Sequence, residues 1–545
     1  MGIPSYFSHI IKNYKNIIRS MSHIKTKNIH HLFMDCNSII YDILYSYETQ
    51  PTDYEPVIQR VIDTIEMYIQ IIGPLKTAYI AFDGVAPFAK MSQQRNRRYK
   101  SWFMNTIDFG NNKPKINTSM ITPGTEFMNK LSLLINRHFN RTKPYSHTHL
   151  TNNPIRPSTQ TSHTYNIIVS CVDQCGEGEH KLFDHLRNID ATTDNVAIYG
   201  LDSDLIMLAI FHVFQTKNIY IFREIPEFIK SSIPQELCKK DNDSNYCFLD
   251  ILELSNSILV EMGCIGKTKN RIFDYVFMCF LMGNDFLPHF PALNIRTTGI
   301  QILLDTYRKH IGAFPYRTLV RDYKIQWKWV ALFFQKLANY EHTYLTEEYT
   351  IREKWSLRKW NTHTPEERIQ ALDHIPSIFR EKEYYICPTE PFWQTRYYQV
   401  LFNHINTPHP SEICLNYIEG LEWVFKYYTV GCPDWQWKYN YHYPPLLQDL
   451  ARFFPSKNHT GDFITLFREP LTPEMQLLYV YPKEYLCMTP DEKIQFLSKY
   501  SMYYPDHLEF EWSFCKYFWE AHVKIPEISI STLNEMSDFI SLYSC

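Results

Sequence analysis

HLFMDCNSIIY, residues 31–41, runs a β-type segment, His31 to Met34, directly into a carboxylate, Asp35. The same arrangement recurs. Thr77 to Phe82 leads into Asp83 in AYIAFDG, and Val196 to Tyr199 leads into Asp202 and Asp204 in YGLDSDL. Tyr165 to Val172 precedes the loop CGEGEHK with Glu177 and Glu179, and Ile219 to Phe222 is a fifth run. Helical patterns fall between, as at Leu182, Phe183 and Leu186. Alternation of this kind predicts an α/β domain with a mainly parallel sheet flanked by helices. Ligands of such sheets sit beyond the carboxyl ends of the strands, where these acids fall.

The domain extends over 1–312. Beyond it the strands fade, and 313–545 reads as a second, mostly helical region. There Val330, Phe333, Phe334 and Leu337 share one face, as do Cys414, Tyr417, Ile418, Leu421, Val424 and Phe425. Asn140 to Thr164 and Lys239 to Asn245 read as surface loops, and roughly 340–385 as a charged segment that links or wraps. The apolar run Tyr275 to Met282 is too short to span a bilayer, which takes about 20 residues, and reads as buried.

A net charge of −3 excludes a protein that holds nucleic acid by bulk positive charge, so phosphate binding requires a local cluster. Thirteen cysteines without a CxxC pair point to a reducing compartment.

Asp35, Asp83, Glu177, Glu179, Asp202, Asp204 and, in GNDFLP, Asp285 form the candidate catalytic set. One acid after a strand is as readily a turn or a helix cap; five such segments in one domain are better read as a site. Two-metal phosphodiester hydrolysis needs hard oxygen ligands, and packed carboxylates need cations. If the two i, i+2 pairs are extended, both side chains of each point the same way. Gly176 and Gly178 allow a tight turn, and a helix starting near Glu179 would aim its positive end at the site. Asp173 and Asp274 read as surface or capping residues. His180 with Cys171 and Cys175 lacks the four ligands of a structural zinc site.

The acid-free cluster Lys90, Arg95, Arg97, Arg98 and Lys100, with Gln93 and Gln94, follows the Asp83 strand and suits a terminal phosphate. WVFKYYTVGCPDWQWKYNYHYPP, residues 423–445, offers either a core block or faces for stacked bases.

Together with MGIPSYF, ITPGTEFM, GEGEHK and CFLMGNDFLPHFP, these motifs resemble, in order and across both halves, the Xrn family of 5′→3′ exoribonucleases. The resemblance implies a catalytic core like that of the PIN and flap nucleases, with the seven acids holding two Mg²⁺ ions, for which Mn²⁺ substitutes. It implies that Lys90, Gln94, Arg97 and Arg98 hold the 5′-monophosphate of single-stranded RNA. It also implies base stacking by Tyr41, where the family usually has His, and by Trp435 or Trp437. Ser5 and Cys175 stand where Lys and Pro are common. The absence of a zinc-knuckle insertion between Phe222 and Asp250 and of a basic localisation run favours a compact cytoplasmic member in mRNA decay. It would be a monomer with no membrane partner, served by decapping or decay adaptors; the Ile, Asn, Lys and Tyr content suggests an AT-rich, viral or protist genome. The acids alone also fit a structure-specific 5′ flap endonuclease, and a catalytically silent RNA-binding scaffold is the non-enzymatic alternative.

Overall fold

The computed structural model describes residues 3, 5–107, 117–140, 145–149, 161–225, 246–264, 270–402, 408–455 and 461–543. Its main sheet has eight strands: β1 (Ile18–Arg19), β2 (Ile29–Asp35), β3 (Thr77–Ala81), β4 (Tyr145–His149), β5 (Thr161–Ser170), β6 (Ala191–Tyr199), β7 (Thr216–Glu224) and β8 (Tyr246–Asp250). They lie in the order β1-β8-β7-β6-β2-β3-β5-β4. The inner five, β7-β6-β2-β3-β5, are parallel, and β8, β1 and β4 add antiparallel edges.

Period two explains why the runs of the inner strands are apolar throughout. Phe33, Tyr79, Ala81, Val196, Ile198, Ile219 and Ile221 face one core. Leu32, Met34, Ala78, Ile80, Ala197, Tyr199, Tyr220 and Phe222 face another. A parallel sheet covered by helices on both faces has no polar side to display.

The second core is closed by helices such as Glu55–Ile72, whose Val57, Ile58, Val61, Ile62, Ile65 and Ile69 form a buried stripe. The first core is continuous from Ile3 to Phe514 and takes in the helices Gly178–Arg187, Asp204–His212, Trp327–Ala338 and Pro410–Thr429. The helical half thus packs onto the sheet rather than hanging from it. A third cluster joins Val85, Phe88 and Met91 to Leu471, Tyr479, Phe496 and Met536. Tyr275–Met282 is buried as expected, and among the described residues no helix is long and apolar enough to cross a membrane.

Three expectations change. The segment Asn140–Thr164 is not loop throughout, because β4 pairs with β5 as a hairpin, Tyr145 opposite Tyr165. Residues 340–385 do not merely link: they form the helices Glu341–Ser356, Pro365–Asp373, Ile375–Ile378 and Glu381–Ile386. Arg352 grips Glu383 with Nε at 2.8 Å and Nη2 at 2.5 Å and also donates to the carbonyls of Phe514 and Cys515. Asp274 is not at the surface; it is 0% exposed and accepts the backbone N–H groups of Leu319 and Val320 at 2.9 and 2.7 Å. Asp173 is exposed, and Lys239–Asn245 lies outside the described residues.

Candidate active site

The chain goes from β2 to β3 on one side and re-enters at β6 on the other, so the carboxyl end of β2 is the switch point of the sheet. Asp35 is the last residue of β2, Asp83 lies two residues past β3, and Asp202 three past β6. Asn37 fixes Asp83 from both sides: its Nδ2 donates to Oδ2 at 2.6 Å, and its Oδ1 accepts the Asp83 N–H at 3.1 Å.

CGEGEHK reaches this point because its glycines let it. Gly176, at φ 107°, bonds through its backbone to Gly84 and Val85, at 2.9 and 2.8 Å. Gly178 donates its N–H to Asp83 Oδ1 at 2.6 Å, and a Cβ there would lie 2.6 Å from Asp35 Oδ1. The Glu177/Glu179 pair is not an extended clamp. Glu177 is the extended N-cap of helix Gly178–Arg187, whereas Glu179 is already helical. Asp204 likewise begins the helix Asp204–His212, with Asp202 exposed in the turn before it. In both pairs the helix start, rather than strand alternation, sets the two acids. Lys181, next along, donates to the carbonyls of Phe82 and Cys171 at 2.8 Å each, tying the chain beyond β3 to that beyond β5.

Lys90 is buried between the acids, paired with Glu177 and, at 2.7 Å, with Asp285. From the helical half, the Tyr427 hydroxyl donates to Glu177 Oε1 at 2.9 Å, and its ring stacks on His180. His180 falls within metal-ligand range of Glu177 and Glu179, whereas neither Cys171 nor Cys175 belongs to such a group among the described residues.

Burial, then repulsion from Asp83 and Asp202, pushes Asp35 well above the usual carboxylate range. Glu179 is raised well up by burial, Asp204 and Glu177, and Asp204 to about 7 by burial and Asp285. Burial also raises Asp83 and Glu177, against the pull of Lys90. For Asp285 burial acts upward too, but Lys90 wins and holds it below its ordinary value. Asp35 Oδ1, Glu179 Oε2 and Asp204 Oδ1 are buried without a hydrogen-bond partner. Unmatched anionic oxygens among mutually repelling buried acids fit hard divalent cations, which would satisfy them and relieve the repulsion; among the described residues, Glu177, Glu179 and His180 offer ligand atoms close enough to share one ion.

The basic cluster lies along the helix Phe88–Thr106. Arg98 spends donors on Thr118 O, Ile121 O and Thr122 Oγ1 at 2.9, 3.1 and 2.8 Å, and Gln94 Oε1 accepts from Gln476 at 3.0 Å. Arg95 and Lys100 also donate to backbone carbonyls, at 2.9 and 2.8 Å. Arg97 is exposed. Tyr41 is half-buried on the helix Asn37–Tyr45. Trp437 is 6% exposed and stacks on Trp423 within the core, whereas Trp435 keeps accessible surface beside Gly176. Asn37, Lys181 and Tyr427 went unforeseen; of these, Asn37, in the motif after Asp35, and Lys181, at the end of CGEGEHK, carried a readable signal.

The chain matches the family models described as the XRN 5′-3′ exonuclease N-terminus, over residues 1–225, and the Xrn1 helical domain, over residues 267–385 and 381–541. It is 24% identical to the 5′-3′ exoribonuclease 2 homolog of Drosophila melanogaster over 96% of this chain and 69% of that protein. The 5′-3′ exoribonuclease 1 proteins of Saccharomyces cerevisiae and Homo sapiens are each 24% identical. Those alignments cover 90% and 98% of this chain but 40% and 34% of the relatives' own lengths. The catalytic core of Rad2 in complex with DNA substrate aligns over 62% of this chain and 81% of that one at 14% identity and a TM-score of 0.31. The two family matches together take in nearly the whole chain, and it belongs to the Xrn family of 5′→3′ exonucleases.

Proposed function

We propose that this chain is a 5′→3′ exoribonuclease of RNA decay, removing nucleotides one at a time from single-stranded RNA that carries a 5′-monophosphate. The observation that carries the reading is the burial and mutual repulsion of Asp35, Asp83, Glu177, Glu179, Asp204 and Asp285, three of whose carboxylate oxygens lack a partner, with a cationic helix alongside. Asp202 stands at the rim.

Two Mg²⁺ ions held by these seven acids, with Mn²⁺ as a substitute, would supply Lewis-acid stabilisation of the phosphodiester and an activated water. The chain's own residues do the rest. Lys90 holds Glu177 and Asp285 in place. Arg97 and the remaining donors of Arg98, with Gln94 on the same helix, take the terminal phosphate oxygens. Tyr41 and Trp435 offer faces for the first bases; Trp435 is preferred over Trp437 because Trp437 already stacks on Trp423. Orienting the end of the strand turns cleavage of the first linkage into an effectively intramolecular event.

The test is degradation, in Mg²⁺, of matched RNAs bearing a 5′-monophosphate, 5′-hydroxyl or 5′-triphosphate. Mononucleotides from the first alone are expected. Equal degradation of all three would refute the phosphate pocket, and a long 5′ fragment would point instead to flap cleavage.

A further inference from the structure

At 100° per residue, Lys90, Gln94 and Arg98 share one face of the helix Phe88–Thr106. Ser92, Asn96 and Lys100 share another, roughly half a turn away, and line a cavity of about 780 Å³. The facing walls include Asn284, His289, Tyr441 and Trp519. Asp285 and Arg97 line it as well, so the cavity reaches the acid cluster through Asp285.

Gln93 Oε1, an acceptor, and Asn284 Nδ2, a donor, are buried and unpaired at this wall. Each unmet buried group is unfavourable, and a ligand with both a donor and an acceptor would meet both. Trp519, 38% exposed, and Tyr441 supply flat faces. Of the cations on the walls, Arg296 is paired with Glu520 and Lys438 with Glu527, at 2.6 Å each. Arg97 has no ion pair among the described residues. The volume lies within the roughly 300–1,000 Å³ of small-molecule sites.

We infer that this cavity receives the nucleoside 5′-monophosphate released at the acid cluster. The inference rests on the exoribonuclease reading. The free cation beside the acids takes the phosphate, the aromatic faces take the base, and the unpaired amides meet its edge. Its position behind the helix lets product leave without backing along the incoming strand.

The probe is adenosine 5′-monophosphate, used with the full chain as an inhibitor of RNA degradation and as a calorimetric ligand. Tyr441→Leu and Trp519→Ala should each weaken its inhibition and binding by about fivefold or more. Single-turnover release of the first nucleotide should stay within about twofold of the unsubstituted chain. Unchanged inhibition in both variants would overturn the inference while leaving the exoribonuclease reading intact; absence of mononucleotide release from the unsubstituted chain would overturn both. Photocrosslinking of 8-azidoadenosine 5′-monophosphate to the unsubstituted chain needs no variant: labelling of the cavity walls supports the inference, and labelling confined elsewhere refutes it.

Discussion

The Tyr427 hydroxyl donates to Glu177 Oε1 across 2.9 Å while its ring stacks on His180, the centroids 3.6 Å apart. Tyr427 belongs to the helix Pro410–Thr429, yet it orients an acid from a loop beyond β5. The helical half therefore sets the geometry of the acid cluster. Tyr427→Phe keeps the stacked ring and removes only the hydrogen bond. Removing such an outer partner typically costs about 10–100-fold in metal affinity or activity. Activity should fall within that range and the Mg²⁺ midpoint should rise, with the melting temperature little changed. A Mg²⁺ titration of RNA degradation decides it, and an unshifted midpoint at full activity would remove Tyr427 from the site.

Gly178 meets Asp35 and Asp83 where no side chain fits. A methyl group at this position would stand 2.6 Å from Asp35 Oδ1 and 3.4 Å from Asp83 Oδ1. Gly178→Ala should displace the Asp35 carboxylate and strain the start of the helix, at about 1–3 kcal/mol. Thermal melting and single-turnover cleavage should both register the loss. Activity equal to that of the unsubstituted chain would show that Asp35 need not hold this position.

The parts of this arrangement that could be read from sequence are those with a local cause. Phe33 and Met34 lie on opposite faces of a sheet that is buried on both, so the run before Asp35 is apolar without a break and easily seen. Tyr427 gives no such sign, because its neighbours Trp423, Val424 and Phe425 are core residues of the same helix and its own spacing looks like theirs. Arg98 reads as a phosphate ligand until the carbonyls of Thr118 and Ile121 are seen to take its donors. Those partners are backbone atoms, which composition does not reveal. Within the charged segment 340–385, Arg352 and Glu383 form a fully buried pair that their separation of 31 residues hides from sequence.

Carboxylates held together without a cation oppose folding. Asp35 is raised by Asp83 and Asp202, after burial, and its Oδ1 is unpartnered. Asp35→Asn should therefore abolish cleavage and yet stabilise the metal-free protein, by roughly 0.5–2 kcal/mol. Mg²⁺ should raise the melting temperature of the unsubstituted chain more than that of the variant, because binding to the folded state alone stabilises it. Melting curves in EDTA and in Mg²⁺ test both halves. A variant less stable than the unsubstituted chain in EDTA would mean that the acids are not in conflict.

The buried Glu383 gives a pH dependence of opposite origin. Burial acts to raise it, but Arg352 and then Arg380 overcome burial and hold it below its ordinary value of 4.5. A carboxyl whose folded value is depressed contributes stability above its unfolded value, and the contribution is lost as pH falls through the folded one. Melting temperature should therefore fall with acidification below about pH 4.5 more steeply than in Glu383→Gln. That variant should itself lose about 3–5 kcal/mol at neutral pH, since Arg352 is left buried without its carboxylate and Arg380 keeps only Glu353. Parallel pH profiles for the two proteins would assign the acid sensitivity to other groups.

Arg97 and Arg98 are neighbours on one helix with different tasks. Arg98 binds the turn at 118–122 through three hydrogen bonds, whereas Arg97 is exposed and has no ion pair among the described residues. A hydrogen bond from a charged donor is worth about 1.5–3 kcal/mol net, so Arg98→Ala should lower the melting temperature as well as activity. Arg98→Lys should not restore it, since an ammonium group lacks the planar fork that reaches several acceptors at once. Arg97→Ala should leave stability unchanged and narrow the gap in rate between RNAs with a 5′-monophosphate and a 5′-hydroxyl. Because the lost contact is to the terminal phosphate alone, the 5′-hydroxyl rate should hold while the monophosphate rate falls toward it. Retention of the full preference in Arg97→Ala would take the phosphate-binding role away from Arg97 and place it on the donors that Arg98 keeps free.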